Sequence, residues 1–139
     1  MRNELILVAD SDAAVATCIA EVLSAEGYSV QCHPSDRLTI DVIKQVRPAL
    51  VIMEQWRTCP EVLQLIDQLQ QCDVTHSIAV IVTTTDPLML YELAMLLHER
   101  GCTMLLKPFD LDQLLDSVAG AERAGQQRAA ARKLEQRYA

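Results

Sequence analysis

Five apolar segments alternate with five helical segments, and this alternation constrains the fold more than any other feature of the chain. The first apolar segment, residues 4–9, is nearly continuous, as expected for a strand that is covered on both faces. Strands that alternate with helices in this way predict a parallel sheet with helices packed on both sides. The other predicted strands are residues 28–33, 50–53, 78–83 and 102–106.

Residues that favour helix starts precede each helical segment. Side-chain oxygens of Asp and Ser cap helix N-termini, and proline is well tolerated in the first turn because its missing N–H would be unpaired there. The predicted starts are Asp12, Ser35 or Asp36, Pro60, Asp86 and Asp110.

The last helical pattern predicts two parts of the chain: a domain over residues 1–120 and a helical extension over residues 121–139. Gly120 and Gly125 weaken the extension by about 1 kcal/mol each relative to alanine. A frayed tail and a short dimerising helix both remain open for these residues.

Charge is unevenly distributed between the two parts. Residues 1–122 hold 7 basic and 18 acidic side chains, whereas residues 123–139 hold 5 basic and 1 acidic. Binding to nucleic acid depends on Lys and Arg at phosphates, so the acidic body argues against nucleic acid as a partner of the domain.

The apolar segments and the cysteines indicate a cytoplasmic protein. No apolar stretch approaches the roughly 20 residues of a membrane helix, and we expect neither a membrane span nor a signal sequence. The 5 cysteines are scattered without a paired metal-binding spacing, which favours free thiols in a reducing compartment.

Three ionisable residues follow predicted strands at the point where each strand ends. They are Asp10, Glu54 and Lys107. The carboxyl ends of parallel strands form the crevice where open α/β sheets bind ligands. We therefore expect these side chains to lie close together and to form the functional site.

The segments around these residues resemble the receiver domain of bacterial response regulators over residues 4 to about 120. The resemblance rests on the stretches Ile6-Leu7-Val8-Ala9-Asp10, Pro48-Ala49-Leu50-Val51-Ile52-Met53-Glu54, Val80-Ile81-Val82-Thr83-Thr84 and Leu106-Lys107-Pro108-Phe109. It implies a flavodoxin-like (βα)5 doubly wound sheet with strand order 2-1-3-4-5 and a role in two-component signal transduction.

The resemblance also implies a phosphorylation site, and this chain departs from it. Receiver domains hold Mg²⁺ with an acidic pair after the first strand and an aspartate after the third, and that aspartate accepts the phosphoryl group. Here Glu54 stands at the phosphoacceptor position, and Asp10-Ser11 replaces the acidic pair, with Asp12 following. We expect no standard phosphorylation and no working Mg²⁺ site; a residual ion would be held by Asp10 and Glu54.

The remaining family positions are partly retained. A strand 4 threonine and Lys107 correspond to the phosphoryl contacts, with Thr84 chosen and Thr83 as the alternative. A cis peptide is implied before Pro108. Met104 stands where the family has a switching aromatic residue.

The sequence therefore predicts a non-enzymatic pseudo-receiver that works by protein contact. The expected partners are a histidine kinase, an effector or another signalling protein, or a second copy of the chain through the fourth helix, fifth strand and fifth helix. Two alternatives remain: a Mg²⁺-dependent phosphoacceptor that uses Asp10 or Asp12, and a small-molecule sensor. Trp56 is either a lid on the pocket or a surface anchor for a partner.

Overall fold

The computed structural model describes residues 4–55 and 58–138. Five strands alternate with five helices, as the sequence predicts. The elements are β1 (Leu5–Ala9), α1 (Ala13–Ala25), β2 (Ser29–His33), α2 (Ile40–Val46), β3 (Leu50–Glu54), α3 (Cys59–Gln71), β4 (Ala79–Thr84), α4 (Pro87–Glu99), β5 (Thr103–Leu106) and α5 (Leu111–Tyr138).

The strands form one parallel sheet in the order β2-β1-β3-β4-β5. This is the flavodoxin-like order, so the predicted fold class is confirmed. The strand order reverses between β1 and β3, which carry Asp10 and Glu54 at their carboxyl ends. The fold thus brings the two carboxylates to neighbouring positions at the crevice.

Alternate residues of the sheet face two aliphatic cores. One lies between the sheet and α2, α3 and α4, and it includes Leu7, Val51 and Val82. The other lies between the sheet and α1 and α5, and it includes Val8 and Ile52. Among the described residues, no helix is long and apolar enough to cross a membrane.

Capping residues begin most helices where the sequence predicts. Asp12 accepts the N–H groups of the first turn of α1, and Asp86 accepts that of Leu88. The second helix is the exception. Residues 35–37 form a short 3-10 turn, and α2 begins at Ile40 because Thr39 Oγ1 accepts the Val42 N–H. The predicted start at Ser35 or Asp36 is therefore wrong.

The last helix continues without interruption from Leu111 to Tyr138. Its second half packs against the amino edge of the sheet. Gly125 is buried beside the carbonyl of Ser77. The guanidinium of Arg128 donates to the carbonyl oxygens of His76, Ile78 and Gly101 at 3.2, 2.8 and 3.2 Å.

Candidate functional site

Asp10, Glu54 and Lys107 meet at the carboxyl edge of the sheet. The Lys107 ammonium donates to Asp10 Oδ2 at 2.5 Å and to Glu54 Oε2 at 3.1 Å. The Lys107 and Asp10 side chains are only 12% and 2% exposed. These three residues form a shielded ion cluster in which one cation bridges two carboxylates.

Strand alternation places all three side chains on the same side of the sheet. Asp10 follows Ile6 and Val8 at the two-residue period of β1, and both of these face α1 and α5. Glu54 continues the alternation of β3 on that side. The Lys107–Pro108 peptide is cis and follows β5 directly.

Ser11 completes the cluster. Its hydroxyl donates to Glu54 Oε1 at 2.7 Å, so both carboxylate oxygens of Glu54 accept hydrogen bonds. The sequence marks Ser11 only as a lost carboxylate, and this contact was not predicted. The sequence signal for this hydrogen bond is a serine directly after Asp10 together with a glutamate, longer than aspartate, at the end of the neighbouring strand.

Asp12 does not join the ion cluster. Its carboxylate accepts the N–H groups of Ala14 and Val15 and caps α1. Its own N–H donates to Asp10 Oδ1 at 2.9 Å and helps to orient that carboxylate.

The two threonines at the end of β4 differ in their surroundings. Thr83 is in register with Glu54 and shares the α1–α5 side of the sheet with Ile81. Its hydroxyl is buried and has no hydrogen-bond partner among the described residues. Thr84 lies on the opposite side, and its hydroxyl accepts the Asp86 N–H. Thr83 therefore shares a side of the sheet with Glu54, and the assignment of Thr84, or of Thr83 as the alternative, to the phosphoryl-contact position stays a prediction.

Burial and pairing shift the pKa of each member of the cluster. Burial raises the pKa of Asp10 despite the hydrogen bond from Lys107. Burial alone would raise the pKa of Glu54, but hydrogen bonds from Ser11 and Lys107 outweigh it and lower that pKa. Burial opposes the charge of Lys107, yet its two carboxylate partners raise its pKa. Glu54 and Lys107 are therefore held as an ion pair. Asp10 is the member of the cluster whose charged form is most disfavoured by burial.

The donor set does not fit Mg²⁺. This ion needs near-ideal octahedral oxygen geometry, usually with one or two carboxylates together with phosphate and water. Here the Lys107 ammonium already lies between the two carboxylates, and the third position is the hydroxyl of Ser11. No group of three or more His, Cys, Asp or Glu in the described parts of the chain could hold a metal.

Two other predicted residues lie apart from the cluster or outside the described structure. Met104 on β5 is partly buried and packs against the core under α2, α3 and α4. Trp56 lies outside the described residues, so its role as lid or anchor stays a prediction.

An apolar groove opens beside Lys107, between α1 and the start of α5. Its volume is about 690 Å³, within the range of small-molecule pockets. The sequence does not reveal this groove, because its walls come from the first and the last helix of the chain. The side chains that line it include Val15, Ile19, Val22, Phe109, Leu111 and Leu114.

No family model and no curated protein matches the sequence, but solved structures share the fold. The signal receiver domain of a protein described as a Luxo repressor, from Vibrio parahaemolyticus, matches with a TM-score of 0.73 and 22% identity, covering 93% of this chain and 97% of that one. The chemotaxis response regulator CheY4 of Vibrio cholerae matches with a TM-score of 0.67 and 16% identity over 84% and 97%. The chain has the fold of a response-regulator receiver domain.

A longer protein matches as well. NtrX from Brucella abortus, in a complex with ADP, matches with a TM-score of 0.68 and 24% identity, and the match covers 96% of this chain but 29% of NtrX. The chain thus spans less than a third of that relative. At these identities the likeness establishes the fold alone.

Proposed function

We propose that the protein is an atypical receiver-like signalling domain that acts by protein contact and is not phosphorylated in the standard way. The observation that carries the proposal is the closed ion cluster of Asp10, Glu54 and Lys107. Both oxygens of the Glu54 carboxylate accept hydrogen bonds, from Ser11 and Lys107.

The chemistry of Glu54 supports this proposal. Glutamate places its carboxylate about 1.5 Å further from the backbone than aspartate does. Nucleophilic attack needs reacting atoms aligned within roughly 3–3.5 Å, and a displacement of about 1 Å can cost 100-fold in rate. A phosphodonor would also have to displace Ser11 or Lys107 from the carboxylate oxygens.

Glu54 then serves as a fixed substitute for a phosphorylated aspartate. Its carboxylate carries one negative charge, whereas a phosphoryl group carries nearly two. This carboxylate is already paired with the ammonium of Lys107. The cluster holds the domain in one conformation instead of switching it.

An exposed surface on α4 supports the choice of docking face. Leu88, Tyr91 and Met95 lie three and four positions apart on α4 and are 63%, 84% and 73% exposed. With β5 and α5, this helix forms the proposed contact surface for a signalling protein, either a kinase or an effector. The net negative charge of residues 1–122 favours a protein partner over nucleic acid.

Intact-mass spectrometry after incubation with acetyl phosphate and Mg²⁺ tests the proposal. We expect the mass to be unchanged. The matched positive control is the double variant S11D/E54D, which restores the carboxylates of the family pattern and should gain one phosphoryl group. Stoichiometric acyl phosphate on Glu54 of the unaltered protein would refute the proposal. Modification mapped to Asp10 or Asp12 would support the alternative phosphoacceptor.

The groove beside Lys107 favours a second candidate function, the sensing of a small apolar molecule. Its walls are mainly aliphatic, and Phe109 contributes an aromatic face. A ligand that binds only the folded state raises the melting temperature with its concentration. A panel of apolar metabolites in a thermal-shift assay, with Leu111→Arg at an exposed wall residue as the groove-blocked control, tests this candidate.

A further inference from the structure

The groove beside Lys107 is bounded by three segments of the chain. Val15 and Val22 lie on α1, Thr85 lies between β4 and α4, and Phe109 precedes α5. The two valines are about two helical turns apart, so the groove extends about 10 Å along α1. A space of about 690 Å³ with walls on three sides suits a compact molecule better than a continuous helix.

The cation that lines this groove is already paired. Lys107 is the only basic residue among the described lining residues, and its ammonium donates to Asp10 and Glu54. With both carboxylates ionised the ion cluster carries one net negative charge, and with Asp10 protonated it is neutral. In neither state is a cation left for an anionic ligand.

Asp110 is the acidic residue that lines the groove. One oxygen of its carboxylate accepts the Gln113 N–H at 2.8 Å, which caps α5 and offsets the positive charge at that end of the helix. The residue is exposed, so its carboxylate can also contact a ligand at the mouth of the groove. The polar end of the groove therefore favours a positively charged group.

The chain around the groove has the same sign of charge. Residues 10–27, which include α1, contain four acidic residues and no basic one, and the same holds for residues 108–122 at the start of α5. Carboxylates that do not line the groove still contribute to the local potential, which attracts cations and repels anions.

We propose that the groove binds an apolar molecule that ends in a protonated amine. The ammonium pairs with Asp110 at the mouth, and the apolar chain extends between α1 and α5 toward Val22, where it is removed from water. This inference rests on the second candidate function, the sensing of a small apolar molecule, and it specifies the charge of that molecule.

Calorimetric titration with octylamine, octanol and octanoate tests the charge preference. The three probes share one chain length and differ in the head group, and each is used below the concentration at which it forms micelles. Octylamine should bind about fivefold more tightly than octanol, as expected for one partly exposed ion pair. Octanoate should bind most weakly of the three.

Two matched variants assign the preference to Asp110. Asp110→Asn should remove most of the difference between octylamine and octanol, because asparagine still caps α5 but carries no charge. Asp41→Asn removes an exposed charge on α2, which packs on the other side of the sheet, and should leave the difference unchanged.

Alkylation of Cys18 by iodoacetamide locates the bound probe. Cys18 is exposed and lines the groove, whereas Cys32 is exposed and lines a separate pocket. Saturating octylamine should slow the alkylation of Cys18 severalfold and leave that of Cys32 unchanged. Leu111→Arg, which places a cation in the wall, should abolish this protection.

The outcomes separate this inference from the candidate function on which it rests. If octanol or octanoate binds as tightly as octylamine and protects Cys18, the inference is wrong but the small-molecule candidate stands. If none of the three probes protects Cys18, both are wrong. Protection by a basic amphipathic peptide but not by octylamine would assign the groove to a helical partner, and protection by raised protein concentration alone would assign it to a second copy. Either of these results would also overturn the inference.

Discussion

Gly125 of α5 lies so close to the carbonyl of Ser77 that a Cβ on residue 125 would stand 2.7 Å from the oxygen. The close approach lets α5 pack on the amino edge of the sheet. Glycine at this position therefore has a steric reason that outweighs its poor helix propensity.

We predict that Gly125→Ala destabilises the protein by about 1–3 kcal/mol, because overpacking against backbone cannot be relieved by a rotamer change. Gly120→Ala is the matched control. A Cβ there meets only the Arg123 guanidinium, at 3.9 Å, so the substitution should stabilise the helix by up to about 1 kcal/mol. Urea unfolding of both variants measures the difference. Equal effects of the two substitutions would contradict the packing described for Gly125.

Removal of the Lys107 ammonium should destabilise the fold strongly. Lys107→Met leaves two shielded carboxylates facing one another, and breaking a buried pair in this way costs about 3–5 kcal/mol. The double variant with Asp10→Asn should recover part of the loss, since the most buried charge is then removed as well. Guanidinium unfolding at pH 7 measures both. A loss below 1 kcal/mol for Lys107→Met would show that the cluster is not important for stability.

Glu54 should support stability only above its ordinary pKa. Its pKa is lowered in the folded protein, so its contribution is present above about pH 4.5 and is lost as pH falls through the folded value. The stability advantage of the unaltered protein over Glu54→Gln should therefore shrink below pH 4.5. Asp10 acts in the opposite direction, because its raised pKa favours the folded state at low pH. Free energies of unfolding from pH 3 to pH 7 for both proteins test the sign.

Cys102 should resist alkylation in the folded protein. Burial raises the pKa of its thiol to about 11, and the reactive thiolate is scarce at neutral pH. Cys18 and Cys32 are exposed and serve as internal controls. Peptide mapping after a brief iodoacetamide treatment at pH 8 should find them modified and Cys102 unmodified until denaturant is added. Rapid alkylation of Cys102 would mean that the segment leading into β5 opens readily.

The meeting of Asp10, Glu54 and Lys107 was predictable because strand period and parallel topology both constrain the strand ends. The choice between Thr83 and Thr84 could not be predicted from the sequence. If the strand is aligned one residue differently, each side chain moves to the other face of the sheet. In the structure Thr83 is the residue in register with Glu54.

The α2 start and the α5 extension show the limits of local signals. Ser35, Asp36 and Thr39 are all acceptable caps, and the burial of Leu38 and Ile43 selects among them through tertiary packing. In α5 the two glycines predict weakness, yet contacts far away in sequence, at Ser77 and at the carbonyls bound by Arg128, hold the helix together.

The grip of Arg128 on the carbonyls of Ile78 and Gly101 has a mechanical consequence. These hydrogen bonds fix the second half of α5, a helix about 42 Å long, to the amino edge of the sheet. The first half of the same helix begins four residues after Lys107. The C-terminal part of α5 therefore does not move independently of the sheet. A partner that binds Leu134 and Tyr138 at the end of this helix also detects any change in the orientation of the sheet.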